Sequence, residues 1–457
     1  MAVIIPINNT YTHTNYPINK KYVYLISSIA ALGGILFGYD LVIISGAVPF
    51  FTDFFKLSDV EKGWAVGCLN LGAAVGALVS GKLSDILGRK KLLMFAALLF
   101  ALTGMGTGWA SNFNLFIAVR MLSGVAVGAA ALVCPVYVSE IVPAKMRGKM
   151  VSYYQLSIVF GILLAYIANF LLLDTGINNW RWMFSSQALP AIVFFIGLFF
   201  VAESPRWLIS KNKDNEAKLI LERISGSQYA ATEIKQIKES YAKKPSNSVK
   251  ALFGKDVKHI VLIGIVIAIC SQAVGQNSLF SYAPEIFKQA GMSQDTAFLQ
   301  SIIIGIITCS FTFIAISSID KVGRKKLLFY GSLLLGLDAV ALAAAFYFNL
   351  PGIFVLVFLL AFIGIYSATI GPVTWVILSE MFPNRIRSSA MSLATLSLWI
   401  TNFFTTALFP IMSGGLGLPI TFLIHAGICL LYFLFIRVKI PETKGKSLEE
   451  IEKMLAH

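Results

Sequence analysis

Charge is scarce in this chain. Only 13 % of its 457 residues are Asp, Glu, Lys or Arg, against about 25 % in an ordinary soluble domain. Hydrophobic residues fill 57 % and the mean hydropathy is +0.76. Such an apolar excess excludes a water-soluble protein and requires a second, apolar solvent, so the chain reads as an integral membrane protein. Acidic residues are scarcer than basic ones, 23 against 37. The resulting net charge of +14 does not point to nucleic acid, because the basic residues sit in short runs between apolar spans and not along one soluble face. Five cysteines (Cys68, Cys134, Cys270, Cys309, Cys429) fall in apolar stretches without paired or metal-like spacing, and read as small packing residues. Also missing are a nucleophile elbow, a metal-ligand set and a nucleotide-binding loop. The segments between apolar runs are too short for a catalytic domain, so the chain is not read as an enzyme and no cofactor is expected.

What is present is a series of apolar stretches, each near the ~20 residues needed to cross a hydrocarbon core. They fall at 22–48, 63–81, 91–110, 113–138, 150–173 and 182–202, then at 258–283, 298–319, 326–348, 352–379, 389–412 and 416–438. Twelve spans in two sets of six give an all-α membrane fold. The expected organisation is a segment 1–21, a first bundle 22–202, a linker 203–257 with short helices, a second bundle 258–438 and a tail 439–457. Of the 37 basic residues, 32 fall on the side that holds both termini and the linker. Lys56, Lys62, Arg181 and Lys288 fall on the other side, and Arg120 lies within a span. A bias of this size predicts cytoplasmic termini and a multi-pass protein of the plasma or bacterial inner membrane.

The chain repeats itself. Asp85, Gly88, Arg89, Lys90 and Lys91 recur as Asp320, Gly323, Arg324, Lys325 and Lys326, and Ser139-Glu140, Pro143 and Arg147 recur as Ser379-Glu380, Pro383 and Arg387. Equivalent loops lie on one side of the membrane, so the halves are parallel repeats about an axis along the membrane normal. A carboxylate at a helix end can pair with arginines on the next loop and latch that face of a rocking bundle. The candidate latches are Asp85 with the Gly88–Lys91 loop and Glu140 with Arg147, together with their second-half copies. The alternative is that these charges mark helix ends and hold anionic lipid.

Ionisable groups within spans cost at least ~2.5–3.5 kcal/mol each and need a reason. Asp40 follows Gly34 and Gly38 in span one, Arg120 precedes Gly124 and Gly128 in span four, and Asp338 lies in span nine among apolar neighbours. Small residues at i, i+4 let another helix approach closely, and if these two helices pack in the first half Asp40 meets Arg120. A carboxylate beside a guanidinium stays ionised, and one parted from it in an apolar cavity takes up a proton, so such a pair is a proton switch. The bland reading is a static pair that fixes helix register. No mechanism attaches to Asp338, and His425 in span twelve reads as a packing or helix-bonding residue.

Neutral polar residues cluster in the second half: Ser271, Gln272, Gln276 and Asn277 in span seven, Gly371-Pro372 with Trp375 in span ten, Trp399 and Asn402 in span eleven. Span five adds Gln155. Amides donate and accept, which suits hydroxyls, and an indole stacks on the apolar face of a sugar. No cluster of like charges lines these helices, so a neutral polyol fits better than an ionic solute.

These motifs resemble the major facilitator superfamily, through Gly81 and Asp85-x-x-Gly-Arg-Lys. Its sugar porter branch is the closer likeness. The residues that carry it are Gly33–Gly46 around Phe37-Gly-Tyr-Asp40, Arg120 with its glycines, Glu203-Ser-Pro-Arg206-Trp-Leu208, Gln272 to Asn277 with Tyr282-Ala-Pro-Glu285, Gly371-Pro372 to Trp375, and Pro441-Glu-Thr-Lys-Gly445. They occur in the family's order over residues 25–450. The resemblance implies the major facilitator fold and alternating access between two six-helix bundles. It implies that Asp40 is the aspartate of proton-coupled symporters, where facilitative glucose carriers have a neutral residue, and that Arg120 is its partner. It implies sugar contacts at Gln155, Gln272, Asn277 and Trp375, with Phe37 beside them, and the candidate set also holds Gln276, Trp399 and Asn402. Glu203 and Arg206 join the cytosolic gate. The nearest likeness is to bacterial sugar–proton symporters of the xylose, galactose and arabinose type. In the xylose type a glutamate stands at the position of Gln187, and the positions of Ser271, Ile162, Thr308 and Leu398 are more often amides. Pentose specificity therefore does not follow; hexose, pentose and inositol stay open.

The expectation is a monomeric importer of a monosaccharide with a proton, embedded in lipid and without a nucleic-acid partner. A facilitative sugar or inositol uniporter and a transporter-like sugar sensor are the alternatives.

Overall fold

The computed structural model describes residues 16–242, 252, 254–383 and 386–444. The first fifteen residues and the tail beyond Lys444 lie outside the described residues. The first half runs α1 (Lys20–Phe55), α2 (Asp59–Leu87), α3 (Arg89–Gly108), α4 (Phe113–Ile141), α5 (Ala144–Leu171), α6 (Asn179–Ser186) and α7 (Ala188–Phe199). The linker forms α8 (Pro205–Ser210) and α9 (Asp214–Ala242). The second half runs α10 (Lys255–Ala273), α11 (Gln276–Gln289), α12 (Gln294–Val322), α13 (Arg324–Tyr347), α14 (Gly352–Ala368), α15 (Ile370–Met381), α16 (Arg387–Gly415) and α17 (Leu418–Lys439).

Twelve stretches of the described chain are long and apolar enough to cross a membrane. Helix is forced on them, because a backbone in hydrocarbon must bond to itself. Their ends are set by local chemistry. Ser58 and Glu61 form a capping box at the start of α2, Asn112 caps α4 and Ser293 caps α12. The outer surface is apolar as lipid requires: Leu171, Leu189, Phe199 and Leu431 are exposed. The linker builds a small core of its own from Leu208, Ile209, Ala217 and Ile237. It docks on the start of α1, where Ser225 donates to the Pro17 carbonyl at 3.0 Å and the Arg223 guanidinium lies 4.2 Å above the Tyr22 ring.

Three spans are broken: the sixth between α6 and α7, the seventh between α10 and α11, the tenth between α14 and α15. The seventh breaks at Val274–Gly275, where Gly275 adopts φ +97°. The tenth breaks two residues before the Gly371-Pro372 pair, at Thr369 (φ −127°, ψ −83°).

Each glycine stripe packs closely against a neighbouring helix. A Cβ at Gly34 would lie 2.8 Å from the Tyr154 carbonyl oxygen and one at Gly38 1.9 Å from that of Ile158, so this face of α1 meets α5. Cβ atoms at Gly124 and Gly128 would lie 2.1 Å from the carbonyl oxygens of Leu69 and Ala73, and that face of α4 meets α2. Gly72 and Gly76 return the contact from α2, so both helices are notched at one seam. Overfilling such a contact forces the backbones apart. Gly124→Ala is expected to cost about 1–3 kcal/mol, read as a lower melting temperature in detergent. Gly427→Ala, at a site on α17 with open space around it, should leave the melting temperature unchanged. Equal melting of the two variants would show that α2 and α4 do not meet through these glycines.

Candidate functional site

Asp40 and Arg120 meet although their glycine stripes face elsewhere. Arg120 Nη1 lies 2.5 Å from Asp40 Oδ1, and both side chains are wholly buried. Ser123, one helical turn beyond Arg120, donates to Asp40 Oδ2 at 2.6 Å. With its amide turned to satisfy both ends, Gln187 donates to Asp40 Oδ1 at 3.2 Å and accepts from the Gly104 N–H at 3.2 Å. Gln187 sits at the break in the sixth span, and a Cβ at Gly104 would lie 2.3 Å from its Cγ, so α3 is cut away to admit it. Next to it, Ser186 and the Tyr39 hydroxyl share a 2.6 Å hydrogen bond. Ser123 and Gln187 as neighbours of the pair were not foreseen, since neutral side chains inside spans carry no charge signal.

A cavity of about 620 Å³ lies between the halves, within the ~300–1,000 Å³ range of small-molecule sites. Phe37, Gln155, Trp375 and Trp399 line it, with Phe37 and Trp399 centroids 5.6 Å apart. Its walls include Pro135 and Val136 near the end of α4, Ile319 and Arg324 around the α12–α13 turn, and Met391 and Ser392 at the start of α16. It therefore reaches toward the side that carries the linker. Gln272, Gln276, Asn277 and Asn402 are not among its lining residues. Asn277 donates to Gln272 Oε1 at 2.7 Å across the break in the seventh span. Both ends of the buried Gln276 amide lack a partner among the described residues. Asn402 donates to Asn70 Oδ1 at 2.9 Å.

That last bond belongs to a seam that closes the far side. Cβ atoms at Gly63 and Gly67 of α2 would lie 2.0 Å from the Ala407 carbonyl oxygen and 3.1 Å from the Ala407 Cβ on α16. Lys62 Nζ pairs with Glu285 of α11 at 3.0 Å and with Asp59 at 3.2 Å. Tyr166 of α5 donates to the Phe280 carbonyl at 3.0 Å. Each of these contacts except Lys62–Asp59 joins one half to the other.

On the linker side the charges clasp within each half. Arg89 donates to Glu140 at 3.0 Å and pairs with the exposed Asp85 at 3.2 Å. Glu203 accepts from the backbone N–H groups of Arg89 and Lys90 at the start of α3, and Ser204 donates to Glu140 at 2.5 Å. Burial pushes the Glu203 carboxyl above its ordinary value, against the pull of these backbone donors. The expected Glu140–Arg147 latch is corrected: Glu140 is taken by Arg89 and Ser204, while Arg147 and Arg206 lie near Tyr229 of α9. In the second half Arg324 donates to Glu380 at 3.0 Å, Glu442 accepts from the Arg324 N–H and Thr443 donates to Glu380 at 2.7 Å. Arg387 donates to the Phe382 carbonyl, and the side chain of Asp320 lies outside those described. Glu203-Ser204 and Glu442-Thr443 are thus a third repeated element, which the different flanking residues hide in the sequence. Asp338 Oδ2 has no partner among the described residues.

A family model described as "Sugar (and other) transporter" matches residues 26–455. The chain belongs to this family. This sugar transporter is 39 % identical to the arabinose-proton symporter of Bacillus subtilis (strain 168) over 456 residues, 97 % of this chain and 98 % of that one. Among solved structures it is similar to the inward open conformation of the xylose transporter XylE from E. coli, with TM-score 0.85 and 34 % identity over 95 % of this chain and 100 % of that one. The proton:xylose symporter XylE bound to 6-bromo-6-deoxy-D-glucose gives TM-score 0.80 at 36 % identity, over 96 % of this chain and 100 % of that one. The fold is that of the major facilitator superfamily, twelve membrane helices in two bundles of six.

The far-side seam of the sugar transporter can be trapped. A Cβ added at Gly67 would lie 3.1 Å from that of Ala407, so once the seam gives by a few tenths of an ångström a Gly67→Cys and Ala407→Cys pair has the reach of a disulfide. Mild oxidation of the double variant should stop transport and a reductant should restore it. Transport indifferent to oxidation would mean that the seam does not open during turnover.

Proposed function

We propose that this protein imports a monosaccharide together with a proton by alternating access, and that Asp40 carries the proton. The buried Asp40–Arg120 pair carries the reading. Burying two charges costs several kcal/mol each, and well-packed apolar residues would stabilise the bundle as well or better. A switch has a use for such a pair; a static scaffold does not. The pair also sits one turn from the substrate, because Phe37 lines the cavity and Asp40 follows it at i+3 on the same helix. When Asp40 takes a proton it releases Arg120, and α1 is freed to shift the wall that Phe37 provides.

The sugar is held between the halves by Gln155 and Trp375, with Phe37 and Trp399 as apolar walls. Gln272, Gln276 and Asn277 supply further hydroxyl contacts, and Asn402 joins them once the seam with Asn70 parts. The excess of basic residues on the linker side places both termini in the cytoplasm, so the cavity described is open inward and the seam is the closed outer gate. The two clasps hold each half rigid while the halves rock. The domains are the two bundles 22–202 and 258–438 joined by the linker 203–257. The protein works as a monomer, performs no bond chemistry and has no nucleic-acid partner. One proton crossing ~100 mV supplies ~2.3 kcal/mol, enough for roughly 50-fold accumulation of sugar at ~1.4 kcal/mol per tenfold.

The test is uptake into sealed liposomes. Radiolabelled arabinose, xylose, galactose, glucose and inositol are offered with and without an inward proton gradient, to wild type and Asp40→Asn. Wild type should concentrate at least one of them when the gradient is imposed. Asp40→Asn should exchange the same sugar and fail to concentrate it. Downhill uptake by both, indifferent to the gradient, would make the protein a facilitator and Asp40 a structural residue.

A further inference from the structure

His425 is a buried, titratable side chain that the transport cycle above does not use. It stands on α17, yet its ring lies under the break in the seventh span. Nδ1 is 3.2 Å from the carbonyl oxygen of Ala273, the last residue of α10. A carbonyl only accepts, so Nδ1 carries the hydrogen and donates it. The last carbonyls of a helix have no partner within the helix, and in a membrane they must find one elsewhere. The ring also occupies the space a side chain at 275 would need. A Cβ at Gly275 would lie 2.6 Å from its Cε1 and 2.7 Å from its Nδ1. Gly275, at φ +97°, is the joint itself.

The same joint carries the amides. Gln272 is the second-last residue of α10, Asn277 the second of α11, and their 2.7 Å hydrogen bond spans the Val274–Gly275 break. The mutual placement of these two amides is fixed by the angle between two short helices. Two contacts hold that angle, the hydrogen bond between the amides and the imidazole on the Ala273 carbonyl. We propose that His425 is a positioning residue for substrate binding: from the twelfth span it props the joint of the seventh, and so sets the spacing of Gln272 and Asn277. It touches no sugar. The inference rests on the reading of these amides as sugar contacts.

Binding to the purified protein tests it, with the sugar that wild type concentrates in liposomes as the probe. His425→Phe keeps an aromatic ring, slightly larger than imidazole, and removes the donor. It should weaken binding about tenfold, the equivalent of one lost buried hydrogen bond of about 1.4 kcal/mol. In an Asn277→Ala background, where no bridge is left to align, His425→Phe should change affinity less than twofold. Equal weakening in both backgrounds would mean general damage to the bundle and would overturn the proposal, as would wild-type affinity in His425→Phe alone. Should His425→Phe not purify as a monodisperse protein, His425→Gln and His425→Leu decide the same point. Gln retains a donor and should bind nearly as wild type, whereas Leu should bind about tenfold more weakly; equal affinities would overturn the proposal. A wild type that binds none of the sugars fails the functional reading itself, a separate result from any of these.

Discussion

A peptide group in hydrocarbon has no water to bond, and this constraint governs the whole molecule. It makes each span a helix, and it makes any interruption costly unless something else supplies the missing partners. The three interruptions that occur are therefore informative. At the sixth span Ser186 bonds to Tyr39, and the neighbouring Gln187 reaches Asp40. At the seventh, His425 serves the exposed carbonyl and two amides face each other across the gap. At the tenth, the Thr369 hydroxyl donates to the Ile365 carbonyl at 2.5 Å, and Trp375 enters the cavity from the helix that follows. Each break presents a polar side chain that a continuous helix would have turned elsewhere.

The spans themselves were legible, since length and hydropathy alone separate them. So was the meeting of Asp40 and Arg120, because two opposite charges in an apolar layer have few other ways to persist. The route to that meeting was not. Glycines at i, i+4 announce a close approach but do not say to which helix. Here α1 gives its stripe to α5 and α4 gives its stripe to α2. The pair forms on faces that the stripes do not mark. Glu140 and Arg147 likewise looked like partners from sequence proximity, yet the chain turns at Pro143 and Arg89 arrives from another helix.

Neutral residues were the least legible. Ser123 and Asn70 resemble many other polar residues within spans, Gln187 stood out only through the family likeness, and their neighbours give all three their place. Asn402 is the converse case. Its amide suits a sugar, but in this conformation it is spent on Asn70 across the outer seam. A residue's chemistry can be read from sequence, while its occupancy depends on which side of the molecule is open.

The paired clasps bear on how the protein arose and how it can be divided. Glu203-Ser204 lies beyond the last helix of the first bundle, and Glu442-Thr443 beyond the last helix of the second. The ancestral unit that was doubled therefore ended past its sixth crossing, with a short strap that folded back onto the second-to-third turn and onto the end of the fourth helix. A two-fragment version cut at Phe199 would leave the first fragment without its strap and the second with a stray one. Cut beyond Ser210, each fragment would keep the fastening that its own helices were built around.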